Sequence, residues 1–211
     1  MKRQVWAFYA SIVALILSVA ARAWNRGHPM PMPYFMRWIL FLPRGPNSPQ
    51  HLDKILEPRS GERILEIGPG IGVHALQIAA ALLPGGILDA LDVQQEMLGD
   101  LCRRAAKADV TNIVTTQGDA QALPYPDHMF DAAYMIGTLG EIPDGIAALR
   151  ELRRVLKVEG RLVVGEVLVD PDYVPLSALK NKAEEAGFVF ERTLGPRFCY
   201  FVLFRPAGIA T

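Results

Sequence analysis

Three carboxylates and a run of glycines carry the chemistry legible in this chain. Glu66 closes a short apolar run, Arg63–Ile67, and Gly68, Gly70 and Gly72 follow at alternating positions in RILEIGPGIGVHALQIA, residues 63–79. Glycine lets the backbone turn tightly and lets a ligand come close to it. The helical pattern that follows leaves free N–H groups at its start, as a phosphate site would need. No Gly-Lys-Ser/Thr follows, and the spacing is G-x-G-x-G rather than G-x-G-x-x-G, so neither nucleotide fingerprint is met. An acid ahead of such a loop suits a ligand with a positive centre, such as an amino group. Asp92 ends the next apolar run, where a carboxylate can accept from the two hydroxyls of a ribose. Asp119, in Gly118-Asp119-Ala120, ends a third run and could accept from an exocyclic amine such as that of adenine. A single acid could merely cap a helix or a turn. Three at successive run ends point to one ligand.

The elements that must position these acids alternate in type. Strands are expected at Arg63–Ile67, Ile87–Val93, Asn112–Gln117, Asp131–Ile136, Arg161–Val167, Val189–Thr193 and Cys199–Phe204. Helices are expected at Val73–Leu83, Gln95–Ala108, Gly145–Leu156 and about 176–186. Such alternation predicts an α/β fold, a doubly wound and mostly parallel seven-stranded sheet covered on both faces. Ligands of such sheets bind beyond the carboxyl ends of the strands.

The 211 residues suffice for one core-bearing domain and an extension. A net charge of zero conceals a split: Met1–Leu52 holds six Lys or Arg and no acid, leaving 16 bases against 22 acids in the remainder. A basic end beside an apolar run favours anionic lipid. The acidic body argues against nucleic acid as a partner. Cys102 and Cys199 match no zinc or redox spacing, and His28, His51, His74 and His128 are scattered, so no metal site is expected.

Gln4–Ala21 runs for 18 residues without a charge, with Trp6, Tyr9 and Trp24 near its ends. Its reach as a helix, roughly 27 Å, falls just short of a comfortable span. Residues 1–23 are therefore expected as a hydrophobic membrane-anchor helix, ahead of a cleaved signal peptide or a helix packed on the protein's own core or on a second subunit. Prolines 29, 31 and 33 break regular helix in residues 24–49. Tyr34–Leu42, apolar with one arginine, suits the plane of a membrane interface. Membrane contact is expected through residues 5–42, and residues 50–211 form the catalytic domain.

Glu66-x-Gly68-x-Gly70-x-Gly72, then Asp92, then Gly118-Asp119-Ala120 resembles the class I S-adenosylmethionine-dependent methyltransferases over about residues 50–205. Ala122–Asp131 looks like the segment leading into that family's fourth strand, and Leu149–Lys157 like the helix before its fifth. The usual Pro-Gly-Gly turn is Val158-Glu159-Gly160 here. Gly187-Phe188 leads into the closing strands, and the 118–131 segment and the final strands resemble the quinone-, sterol- and small-molecule-methylating branch.

The resemblance implies S-adenosyl-L-methionine as cofactor and S-adenosyl-L-homocysteine as product. It places Glu66 and the backbone of Gly68, Pro69, Gly70 and Gly72 at the amino-acid end of the cofactor. Asp92 would take the ribose, Val93 would pack near the adenine, and Asp119 with Ala120 would read the adenine edge. Ile136 and Gly137 would border the methionine portion. Glu141 is the candidate catalytic base, with a turn carboxylate as its plain alternative. His128 and His74 read as structural, and Phe198 and Tyr200 as pocket wall or core. Residues 24–49 would form a lid, so a lipophilic or membrane-associated acceptor is expected: a quinone precursor, a phospholipid head group or a small hydrophobic molecule. The catalytic domain is expected to face the cytoplasm. A nicotinamide-dependent oxidoreductase and a non-catalytic, membrane-tethered nucleoside-binding protein are the competing readings.

Overall fold

The structure, a computed structural model, describes residues 29–41 and 48–208. The expected anchor, residues 1–23, and much of the 24–49 segment lie outside the described residues. Among the described residues no helix is long and apolar enough to cross a membrane.

Seven strands form one sheet: β1 (Arg63–Ile67), β2 (Ile87–Asp92), β3 (Ile113–Gln117), β4 (Phe130–Ile136), β5 (Leu156–Val167), β6 (Phe188–Leu194) and β7 (Cys199–Pro206). Their spatial order is β3-β2-β1-β4-β5-β7-β6, and β7 runs antiparallel to both of its neighbours. The chain winds outward from β1 to β3 and then returns to lay β4 on the other side of β1. The crevice between the carboxyl ends of β1 and β4 is where such a sheet binds ligands.

The helices are α1 (Pro49–Leu56), α2 (Ala75–Ala81), α3 (Gln95–Lys107), α4 (Gly145–Val155) and α5 (Leu176–Glu185). Each forms where apolar residues recur at helical spacing. In α3, Met97, Leu98, Leu101 and Ala105 are the buried stripe. Strand alternation divides the core into two layers. Leu65 and Ile67 enter the layer under α4 and α5, while Ile64 enters the layer with Leu52 and Ile55 of α1 and Ile78 of α2.

Nearly every expected element is present, with ends shifted by a few residues. Two differ more. β5 begins at Leu156, because Phe130 pairs with Leu156 before the register jumps to Ala132 and Arg161. The residues where the expected Pro-Gly-Gly turn is missing thus become an irregular part of the strand. The second is α1, which the sequence reading left unassigned. Pro49 starts it and Glu57, in the left-handed region, ends it.

Arg161 locks α1 to the sheet. Its guanidinium donates to the Leu56 carbonyl at 2.5 Å, to the Glu57 carbonyl at 2.9 Å and to both Glu62 oxygens at 2.8 and 2.6 Å. Both side chains are nearly buried, so removing the cation leaves the Glu62 carboxylate to the Arg59 amide, at 2.9 Å, and takes the guanidinium donors from two carbonyls. Arg161→Met is expected to destabilise the fold by about 3–5 kcal/mol, read as a lowered midpoint in urea unfolding.

Candidate active site

A cavity of about 350 Å³ opens over the carboxyl ends of β1, β2 and β4, a size suited to a small ligand or cofactor. It brings together Glu66, Gly68, Pro69, Gly70, Asp92, Val93, Asp119, Ala120, Ile136, Gly137 and Glu141. Of the residues expected at the site, only Gly72 does not border it. Gly72 has φ +80°, and a Cβ there would lie 2.2 Å from Leu101 Cδ1. Its role is to seat α3 against the loop. Gly68, at φ +66°, would place a Cβ 2.5 Å from Thr138 Oγ1, so the loop after β1 and the loop after β4 touch only because Gly68 has no side chain.

Glu66 sits in the penultimate position of β1, in register with Ala90 and Tyr134. It is 3% exposed, and its Oε2 makes no hydrogen bond among the described residues. The Tyr134 hydroxyl lies close enough to favour the carboxylate but falls short of full hydrogen-bond geometry. Burial, with Asp92 nearby, pushes the Glu66 carboxyl up to about 8. An orphaned, desolvated acid facing a cavity is a socket for a cation or an ammonium group.

Asp92 is 8% exposed at the end of β2. Its oxygens accept from the Gln94 amide at 2.9 Å and the Gly70 amide at 3.3 Å. Each retains lone pairs for further donors, so a diol fits there. Burial raises its pKa against these bonds. Val93, exposed beside it, offers an apolar face. Asp119 is exposed at the cavity edge, and both of its oxygens accept from the Gln121 side-chain amide, at 3.0 and 2.9 Å. A primary amide thus stands where the sequence reading puts an exocyclic amine.

At the far end, Glu141 lies in a single 3₁₀ turn, Leu139–Glu141. Burial and the neighbouring Asp170 push its carboxyl up to about 8, with the Met32 amide acting the other way. Gly137, at φ +63°, would bring a Cβ within 3.1 Å of Asp170 Oδ2, so the loops after β4 and β5 meet at that glycine.

Of the segment expected as a lid, Pro31, Met32 and Leu40 border the cavity. They belong to or precede a 3₁₀ helix, Tyr34–Phe41, reached through the prolines that bar a longer α-helix. The Gln94 side chain donates to the Met32 carbonyl at 2.8 Å and the Tyr34 hydroxyl to Asp100 at 2.9 Å, and Arg37 pairs with Asp100 at 3.3 Å. A Cβ on Gly70 would sit 3.0 Å from Leu40 Cδ1, so the lid rests directly on the glycine loop.

Other candidates separate cleanly. His128 is held at φ +56° with its ring on the Leu156 carbonyl, a structural turn residue. His74 is buried yet borders the cavity, which its helical context alone did not reveal. Tyr200 is core, donating to the Val174 carbonyl at 2.5 Å, and Phe198 is exposed, so neither forms the wall. Thr138, Gln121 and Asp170 were missed. They follow strand ends by one or more residues and share no spacing with the acids before them.

Comparison with known proteins agrees with this geometry. Residues 64–160 match the family described as a methyltransferase domain. The chain is 34% identical over 134 residues to 27-O-demethylrifamycin SV methyltransferase of Amycolatopsis mediterranei (strain S699), covering 63% of this chain and 48% of that protein. It is 38% identical over 109 residues to the ubiquinone/menaquinone biosynthesis C-methyltransferase UbiE of Cellvibrio japonicus (strain Ueda107), covering 51% and 44%. It thus spans just under half the length of these curated relatives. An Aquifex aeolicus SAM-dependent methyltransferase superposes with a TM-score of 0.76 at 20% identity, covering 82% of this chain and 98% of that one, which shows a shared fold. The matched region is thus similar to a methyltransferase domain, and that likeness implies S-adenosyl-L-methionine as its cofactor.

The residues present fit that cofactor: an orphaned acid for its ammonium group, a second acid for its ribose and an apolar face for its base. Asp92→Ala is expected to weaken S-adenosylmethionine and S-adenosylhomocysteine binding about 10- to 100-fold, measured by titration calorimetry. Glu66 also makes stability depend on pH. Its folded pKa, about 8, exceeds its ordinary 4.5, so the folded state holds a proton that the unfolded state has lost between those values. Stability of the cofactor-free protein should therefore fall as pH rises across that window. Thermal unfolding of Glu66→Gln should show a shallower fall.

Proposed function

We propose, from the likeness of residues 64–160 to a methyltransferase domain, that this chain moves a methyl group onto an uncharged, lipophilic acceptor that carries a dissociable proton. The observation that carries the reading is the charge of the cavity. Five carboxylates border it, Glu66, Asp92, Asp119, Glu141 and Asp170, and no Lys or Arg does so among the described residues. An anionic acceptor would meet no Lys or Arg among the described lining residues, while a neutral hydroxyl or enol needs none. A quinone precursor or another small hydrophobic molecule is therefore favoured over a phospholipid head group, whose phosphate would meet these acids. Relatives named for ubiquinone and menaquinone biosynthesis support the quinone option.

The cofactor supplies a methyl on a sulfonium, a good leaving group, so the protein's task is alignment and exclusion of water. Glu66 and the backbone of the glycine loop would hold the amino-acid end. Asp92 would hold the ribose, Val93 would face the adenine, and Asp119 and Ala120 would meet its edge. Ile136 and Gly137 would flank the methionine portion. The lid at Pro31, Met32 and Leu40 keeps water out and gives the acceptor an apolar wall. Glu141 takes the acceptor's proton, and its raised pKa matches a base working near neutral pH.

Membrane association through residues 5–42 and a cytoplasmic placement of the domain complete the reading. The 18-residue uncharged run and the basic, acid-free N-terminal portion support the first. Two free thiols, Cys102 exposed and Cys199 buried, suit a reducing compartment and support the second. The oxidoreductase and binding-protein readings gain nothing from the site.

Glu141 must be ionised to act as base, so turnover of a phenolic or quinol acceptor is expected to rise with pH through about 8 and level off above. Glu141→Gln should lower kcat about 10²- to 10⁴-fold and abolish that limb of the profile, while cofactor affinity stays near its original value. An unchanged pH profile in this variant would sink the base assignment.

A further inference from the structure

The lid helix has two unlike faces, because residues three apart eclipse in a 3₁₀ helix. Tyr34, Arg37 and Leu40 share the inward face, where the first two engage Asp100 of α3 and Leu40 rests on the glycine loop. Phe35 and Trp38 share another face and are 72% and 60% exposed. Two large aromatics held outward by a helix pinned on its other side are costly in water.

A second apolar group stands at the border of the same cavity. Val167 and Asp170, around the end of β5, border the cavity, and between them Leu168 and Val169 are exposed, Val169 at 81%. The Leu168 amide donates to the Phe198 carbonyl at 2.8 Å, which brings exposed Phe198 alongside. Both segments that frame the cavity thus end in outward apolar side chains.

We propose that these two groups form a docking collar for an anionic lipid bilayer, with the cavity mouth between them. The proposal rests on the lipophilic-acceptor reading and adds where the bilayer is met. Two features select lipid over another occupant. The chain entering the lid helix carries the 18-residue uncharged run, and Met1–Leu52 holds six bases without an acid, a charge that anionic head groups complement. Aromatic side chains beside bases are what the head-group level accepts. The lid then couples surface to chemistry, since the helix that presents Phe35 and Trp38 also places Leu40 over the glycine loop and follows the Met32 amide that faces Glu141.

Trp38 reports the contact directly. The chain has three tryptophans, and Trp6→Phe with Trp24→Phe in the full-length protein leaves Trp38 alone. Mixed with vesicles of equimolar phosphatidylcholine and phosphatidylglycerol bearing brominated acyl chains, Trp38 is expected to be quenched, and less so with phosphatidylcholine alone. Phe35→Ser, or Val169→Ser with Phe198→Ser, should weaken that quenching about tenfold in vesicle concentration. Vesicle-bound protein with Trp38 unquenched would overturn the proposal, as would a dimer or a chain-internal contact that shields Trp38 while vesicles are ignored. Calorimetric titration of the same samples with S-adenosylmethionine tests the catalytic reading separately. Loss of cofactor binding with intact quenching would fault that reading alone, and loss of quenching with intact binding would fault the collar alone.

Discussion

The arrangement turns on one buried carboxylate. Glu66 is enclosed by the sheet and its helices, with one oxygen left without a donor. Burying an ionised acid without a partner is costly, and the group answers by holding its proton to about pH 8. Such a residue is tolerated where a cation is meant to arrive. The rest of the site follows: glycines keep the backbone open in front of the acid, Thr138 closes its far side, and Asp92 extends the acidic line toward the next strand.

The sheet order makes that line possible. Because β4 returns to the opposite side of β1, the cavity lies over the carboxyl ends of these two strands, where their loops meet at Gly68 and Thr138. Asp92 and Asp119 arrive from one side, and Glu141 and Asp170 from the other. The two ends of the cavity therefore carry separate duties. Under the proposed function one would hold hydroxyls and an amine, and the other holds an acid whose pKa suits proton transfer near neutrality.

The Tyr34–Phe41 helix converts a weak local pattern into two unlike faces. Three prolines at alternating positions bar helix ahead of Tyr34, and the residues after them form a 3₁₀ helix with a three-residue period. That period sorts anchoring residues from exposed aromatics with no residue shared between them. An α-helix of the same sequence would distribute Tyr34, Arg37 and Leu40 more widely and mix the two faces.

Much of this was legible in the residues. The glycine spacing, the acids at the ends of β1 and β2, and the strand–helix alternation are local signals, set by turn sterics and hydrophobic periodicity within a few residues. They determined an α/β domain with a nucleoside-type ligand edge. Hidden from the sequence were Asp170 beside Glu141, His74 at the cavity wall, Gln121 on Asp119 and the Arg161 clamp on α1. Each depends on a partner brought near by the winding of the chain, as with the 105 positions between Arg161 and the Leu56 carbonyl. Gly72 shows the converse: its motif position suggested ligand contact, and only packing against Leu101 disclosed its work. Sequence fixes what each short segment can do, because backbone preference and side-chain chemistry are local. Tertiary structure decides which groups share one desolvated space, because burial and proximity, and the pKa shifts they cause, exist only once distant segments meet.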